Sequence, residues 1–335
     1  MLQSHTPSFK HTLALHQNGQ VEDARLGYHE LLRHEPENHV VMNALACVYQ
    51  GLGQSRAALE LYQKAAAFSQ HTSLYKFNIA VALMDLDEDD KALTAWDNYI
   101  SQVSNNPAAY QNRAWIYWYK KNMLQQACID YQEALKYDAE NISIYCELSQ
   151  VLAMLDQQLE AESLIKIAVT FAYQQKNPDN HKLLAISFMS LAKTDDAIIQ
   201  WNKYLTYFPN SSEGYSYRGL LLREKGDIEQ SLHSYQLAIA YAPEDIKNYC
   251  ELAEILYLQN KKSEMEILLE QVWLLAHTKN SRILFQRMAK TFGKVNLIEK
   301  AVSCWQKCIA LEPRNKNFTN YCHEQIAFLY EHNSN

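Results

Sequence analysis

One spacing constrains this chain more than any other feature. A column of mostly small residues runs Ala24, Ala58, Ala92, Ala127, Ala161, Ala197, Ser231, Met265 and Ala301, at intervals of 34, 34, 35, 34, 36, 34, 34 and 36 residues. Four residues after each stands a large apolar side chain: Tyr28, Tyr62, Trp96, Tyr131, Ile165, Trp201, Tyr235, Leu269 and Trp305. A separation of four is one helical turn, so each pair shares a helix face. A second column lies upstream, at Thr12, Ala46, Ala80, Ala114, Ser149, Ala185, Gly219, Ala253 and Ala289. Three residues beyond each comes Leu15, Tyr49, Leu83, Tyr117, Leu152, Phe188, Leu222, Leu256 or Phe292. Each period therefore holds two amphipathic helices, joined at polar or glycine-containing stretches such as Gly19-Gln20, Gly53-Gln54 and Gly226-Asp227. The small columns mark places where two helices cross closely, with the large residue one turn away filling the neighbouring groove.

The remaining composition agrees with an all-helical chain. Only 8 Gly and 7 Pro occur in 335 residues, so few turns demand special backbone angles. Six of the prolines (Pro36, Pro107, Pro178, Pro209, Pro243, Pro313) fall at period starts or ends, where proline is tolerated. No basic head followed by an apolar stretch opens the sequence, and no run approaches the roughly 18 apolar residues of a membrane span. Seven scattered cysteines fit a reducing compartment better than a disulfide framework. The expectation is a soluble, cytoplasmic protein that does not sit in a membrane. Net charge is −7, although residues 282–335 carry 8 Lys and Arg against 4 Asp and Glu. An acidic body argues against nucleic acid as a partner.

The columns together resemble the tetratricopeptide-repeat family. The resemblance covers about residues 5–315 in nine repeats, 5–38, 39–72, 73–106, 107–141, 142–175, 178–211, 212–245, 246–279 and 282–315. It implies an all-α fold, a right-handed superhelical solenoid of helix–turn–helix repeats. Repeats 2, 6 and 7 match best; repeat 8 is degenerate, with Met265 in the small column, and repeat 4 carries an extra residue near Lys120–Gln126. Residues 316–335 read as a capping helix over the last stacking face, followed by a polar tail.

No catalytic constellation stands out, and the expectation is a chain that is not an enzyme and needs no cofactor. Gly293-Lys294 lacks the upstream glycine and the following Ser/Thr of a phosphate loop. His29-Glu30 resembles a helical zinc-protease motif, but Arg33 occupies the second ligand position, and His34 is turned about 100° off the shared face. Cys304, Cys308 and Cys322-His323 could supply four zinc ligands, yet Cys308 falls in the column held elsewhere by Ala65, Ala134, Ala168 and Ala238. It reads as a small core residue. The first period is also similar to repeats preceding bacterial relatives of O-linked N-acetylglucosamine transferase. Only 20 residues follow repeat 9, so recruiting substrate for a glycosyltransferase would require the catalytic domain on another chain.

In the family, the first helix of each repeat lines a concave groove. At the position where transferase-type solenoids carry a backbone-clamping asparagine ladder, this chain has two rungs, Asn78 and Asn112. An amide both donates and accepts, so it satisfies a peptide unit whatever the side chain. Phe77, Val81 and Trp115 flank the rungs, with Trp118 and Tyr119 one turn beyond Trp115. These seven residues are the expected peptide-binding set, and the expected function is a protein-interaction scaffold or adaptor. The alternative is a structural subunit of a larger complex; self-association into a homo-oligomer is compatible with either. In repeats 8 and 9, Glu251 and Glu254 stand at positions equivalent to Arg287 and Lys290, which predicts ion pairs between those repeats. Lys182 has Ile186 where the dicarboxylate clamp of chaperone-binding members needs Asn, so no such clamp is assigned.

Overall fold

The computed structural model describes residues 8–69 and 73–332. The sequence readings at 5–7, at the junction 70–72 and at the end of the polar tail lie outside them. Among the described residues the chain is all-α, with 19 α-helices and no strand. It divides into two compact units, Met1–Gln174 and Gln175–Asn335.

The first unit holds five successive helix pairs. They are α1 (Phe9–Gln17) with α2 (Val21–His34), α3 (His39–Gly51) with α4 (Ser55–Phe68), and α5 (Ser73–Asp85) with α6 (Asp89–Ile100). Then come α7 (Pro107–Trp115), running on through a π-turn at Ile116–Lys120, with α8 (Leu124–Tyr137), and α9 (Ile142–Met154) with α10 (Gln158–Gln175). The second unit holds α11 (Pro178–Ser190) with α12 (Thr194–Tyr207), α13 (Ser212–Lys225) with α14 (Ile228–Tyr241), and α15 (Ile246–Leu258) with α16 (Lys262–Lys279). It ends with α17 (Arg282–Lys294) paired to α18 (Ile298–Leu311), then α19 (Lys316–His332).

Local signals start and stop these helices at the same place in each period. Asn38, Asn106, Asn141, Asn177, Ser211 and Asp245 each cap the first helix of a pair by accepting from a backbone N–H of its opening turn, which satisfies one of the donors that a helix start leaves free. The hairpin turn is closed by a residue with positive φ: Gly19, Gly53, Asp87, Asn122, Asp156, Ala192, Gly226, Asn260 and Asn296. The next backbone N–H reaches back to the carbonyl of the large residue of the first helix, as in Gln54 to Tyr49 (2.8 Å) and Asp227 to Leu222 (2.9 Å). This is the left-handed closure that ends many helices.

Repeat 4 departs from that geometry. There the closing bond runs from Met123 N to Tyr117 O (2.7 Å), one residue longer than elsewhere. The extra residue is therefore accommodated in the last turn of α7, as the π-turn Ile116–Lys120, rather than in the connection Lys120–Gln126. A single inserted residue is absorbed by widening one turn, which rotates the side chains beyond it about the helix axis.

Packing follows the two columns. Every member of the large column, from Tyr28 to Trp305, is at most 2% exposed. The small residues sit at the crossings: a Cβ added to Gly219 would lie 3.0 Å from the Tyr235 ring. Where the column holds serine, the hydroxyl ties the crossing together. Ser149 Oγ donates to Ala161 O (2.8 Å) and Ser231 Oγ to Gly219 O (2.7 Å). Cys304 and Cys308 are both fully buried, and burial pushes each thiol up to about 12, so they stay neutral as core residues.

The second unit closes on α19, whose Cys322 and Leu329 are buried, with Phe318, Tyr321 and Ile326 packed on the same core as Phe292 and Trp305. The Tyr321 ring meets Trp305 edge-on at 5.7 Å. Deleting residues 316–335 exposes this apolar face and is expected to lower the melting temperature and to shift the protein toward aggregates in size-exclusion chromatography. Unchanged melting and elution would show that α19 contributes nothing to the core.

Candidate functional site

The seven residues assigned to peptide contact all lie on α5, α7 and its π-turn, and the structure divides them. Phe77 turns inward: its ring meets Trp96 edge-on at 5.0 Å and Tyr99 at 5.4 Å. It wedges α5 against α6 on that side and is otherwise half-buried, as Val81 and Trp115 are. Trp118 is a core residue, only 8% exposed. Its indole N–H lies 3.2 Å from Met154 Sδ on α9, and its ring meets Tyr131 edge-on at 6.5 Å. The assignment of Trp118 to a peptide surface is corrected by burial. For Trp118 the cause is the π-turn, which breaks the α-helical spacing from which the face was inferred.

The other five remain accessible in part. Val81 and Trp115 are half-buried against the core of the α5/α6 hairpin. Tyr119 is 58% exposed, with ring centroids 5.3 Å from Trp115 and 4.2 Å from Trp118. Lys120 Nζ lies 5.7 Å over the Trp115 ring while donating to Asp87 Oδ1 at 2.6 Å. Together these make an aromatic ledge with one edge on the core. Asn78 is not a free rung, because its Nδ2 donates to Asn43 Oδ1 of the preceding first helix at 2.9 Å. Asn112 is half-buried, and its side chain has no hydrogen bond among the described residues.

Two amides that the groove reading overlooked connect neighbouring first helices. Asn43 accepts from Asn78, and Gln111 Nε2 donates to both Glu147 carboxylate oxygens at 3.1 Å and to Ser143 Oγ at 3.3 Å. Asn43 and Gln111 occupy the same place in their repeats, one residue before the ladder column. Their separations of 35 and 36 residues from their partners are the signal that could have found them.

Burial holds the Glu147 carboxyl above its ordinary value of 4.5, against the opposing hydrogen bonds from Gln111 and Ser143. A carboxyl with a raised folded-state pKa binds its proton more tightly when folded. Its stabilising contribution is thus complete below the unfolded value and is lost as pH rises through the folded one. Glu147→Gln carries no charge at any pH. Its melting temperature is expected to equal or exceed that of the wild type at neutral pH, with the difference shrinking toward about pH 5. A lower melting temperature for the variant at neutral pH would show that the ionised carboxylate is the favoured form.

On the opposite side of α7, Arg113 forms a fork onto Asp130 of α8 (Nε and Nη2, both 2.7 Å) and reaches Asp97 of α6 with Nη1 at 2.6 Å. This fixes the helix that carries Asn112 and Trp115 against its neighbours.

In the second unit the expected ion pairs do not form. Glu251 pairs with Arg223 of α13 at 2.8 Å, and Glu254 with Lys294 at 2.8 Å and Arg223 at 3.7 Å. Arg287 and Lys290 have no ion pair among the described residues. Arg223 of the preceding repeat, within reach of both carboxylates, and Lys294 of repeat 9 take the places assigned to Arg287 and Lys290.

This geometry defines a class first: an all-α repeat protein of stacked helical hairpins. The tetratricopeptide-repeat family model matches residues 40–71 and 107–141. Among solved structures, a tetratricopeptide repeat protein from Parabacteroides merdae ATCC 43184 is similar over 72% of this chain and 94% of its own, at 16% identity and a TM-score of 0.55. MamA from Desulfovibrio magneticus RS-1 (residue 41 to its end) aligns over 50% of this chain and 93% of its own, at 16% identity and a TM-score of 0.46. YrrB, described as a TPR protein with an unusual peptide-binding site, aligns over 57% and 96%, at 21% identity and a TM-score of 0.42. No curated protein sequence matches the chain. Two of its helix pairs, α3/α4 and α7/α8, thus match the tetratricopeptide-repeat model, and the fold is that of an all-α repeat protein. Repeats of this family generally mediate protein–protein interactions. No helix among the described residues is long and apolar enough to cross a membrane.

Proposed function

We propose that this chain is a non-enzymatic scaffold that holds an extended stretch of a protein partner along the first helices of repeats 3 and 4. The observation that carries the reading is the pairing of Asn112 and Trp115, one turn apart on α7. The first has an uncommitted amide, and the second is half-buried on its core side only. An amide beside an aromatic ledge can satisfy a peptide unit and cover an apolar side chain at once. Asn78 joins only through its pair with Asn43, so the backbone clamp is shorter than a full ladder. Affinity capture from the source cells with wild-type bait and with an Asn112→Ala/Trp115→Ala bait tests the reading. The expected result is loss of the wild-type partners from a variant that keeps its helical content. Retention of those partners would refute it.

A structural-subunit reading has one observation in its favour. Leu26, Ile129, Ile199 and Ile267 occupy the same place on four second helices, two residues after the small column, and all are exposed. A partner packed on the second helices of one unit would bury that unit's pair, Leu26 and Ile129 or Ile199 and Ile267, and the double substitution on α7 would leave its binding intact.

A further inference from the structure

Unpaired positive charge collects on one cleft of the second unit. The cleft lies between α15 and α17, has a volume of about 250 Å³, and is lined by Cys250, Glu251, Glu254, Arg287, Lys290 and Lys294 among others. Its two carboxylates are already engaged by Arg223 and Lys294. Arg287 and Lys290 are left with no ion pair among the described residues, so four cations stand against two anions. Burial pushes the Cys250 thiol up to about 11, and at neutral pH it adds no negative charge. Arg287 is half-buried, and a partly desolvated guanidinium without a counter-charge is unfavourable until an anion arrives.

We infer that this cleft binds an acidic segment of a protein partner, with two of its carboxylate side chains pairing to Arg287 and Lys290. The site is separate from the α7 ledge and does not depend on it. Three features select a peptide over a polyphosphate chain. Glu251 and Glu254 stay in the wall, where they repel a dense polyanion. Exposed Ile283 and the Gln286 amide border the same cleft, offering the apolar and hydrogen-bonding contacts that a polypeptide uses. The spacing also fits: side chains three apart on a helix stand about 5–6 Å from each other, close to the roughly 7 Å between alternate side chains of an extended strand.

The test is fluorescence anisotropy with the full chain and a labelled, terminally blocked peptide of alternating Glu and Ser, beside its Gln/Ser counterpart. The Glu peptide is expected to bind and to weaken as salt rises. Arg287→Glu with Lys290→Glu should raise its Kd at least about tenfold, and the milder Arg287→Gln should weaken it in the same direction. Lys307→Glu with Arg314→Glu makes the same change in net charge at exposed positions outside the cleft and should leave Kd within about twofold. Asn112→Ala/Trp115→Ala should also bind the Glu peptide normally, so a failure of the α7 site is read separately. Four results, besides the one named last, would each overturn the assignment. They are equal binding of the Gln peptide, no effect of the cleft reversal, an equal effect of the control reversal, and tighter, reversal-sensitive binding of inorganic polyphosphate. Binding of the Gln/Ser peptide only when its C-terminus is left free would assign the cleft to a terminal carboxylate instead and equally overturn the side-chain pairing.

Discussion

Asp130→Ala is expected to cost about 3 kcal/mol, read as a lower urea midpoint. The carboxylate side chain is 6% exposed, and both of its oxygens take a bond from Arg113, itself 17% exposed. Removing the acid strands most of a guanidinium between α7 and α8, and only the solvent-facing Asp97 bond at 2.6 Å remains. The large effect comes from that stranded charge rather than from any great intrinsic strength of the pair. A double replacement, Arg113→Met with Asp130→Leu, removes both charges and keeps the volume, so it should recover most of the loss. If the double variant is as unstable as the single one, the shape of the fork matters more than its charge.

The second large effect concerns binding. Trp115→Ala removes the aromatic part of the ledge, and if that ring anchors a partner the loss is about 2 kcal/mol or more, roughly a 30-fold rise in Kd. Asn112→Ala removes an amide whose loss leaves a buried peptide group unsatisfied, at about 1–3 kcal/mol. Neither side chain makes a hydrogen bond among the described residues, so the melting temperature should move little, with Trp115 giving the larger shift because its inner face packs on the α5/α6 core. Isothermal titration of a captured partner with each variant checks both numbers. Asn78→Ala separates the roles, since its amide also bonds Asn43 at 2.9 Å, and a loss of stability there would mark it as a strut between repeats.

Much of the molecule was legible before any coordinates because its information is local and repeated. A small residue and a large one four positions later define a helix face by themselves, and nine consecutive periods make the pairing of faces unambiguous. The positive-φ residue that closes each hairpin keeps the same spacing, 34 residues from Gly19 to Gly53 and again from Gly53 to Asp87. That is why the turns fall at Gly19-Gln20 and Gly226-Asp227. Burial of Ser149 and Ser231 follows from the same columns, and only their bonds across the crossing needed the structure.

Tertiary structure alone decided where the site residues point and which charges meet. Phe77 and Trp118 share the composition of a contact surface, but whether an aromatic side chain turns toward groove or core depends on the space its neighbours leave. For Phe77 that space lies against Trp96 and Tyr99. For Trp118 it is set by a one-residue widening of the helix at Ile116–Lys120, which column spacing detects only as a count. The charges are undetermined for a related reason. A long Arg or Lys side chain reaches acids on either neighbouring repeat, so Glu251 could have met Arg287 from one side or Arg223 from the other. The sequence by itself determined the helices, their pairing and the buried columns, because these rest on periodic burial. The choice of Arg223, and with it the free Arg287 and Lys290, rests on distances between side chains far apart in the chain.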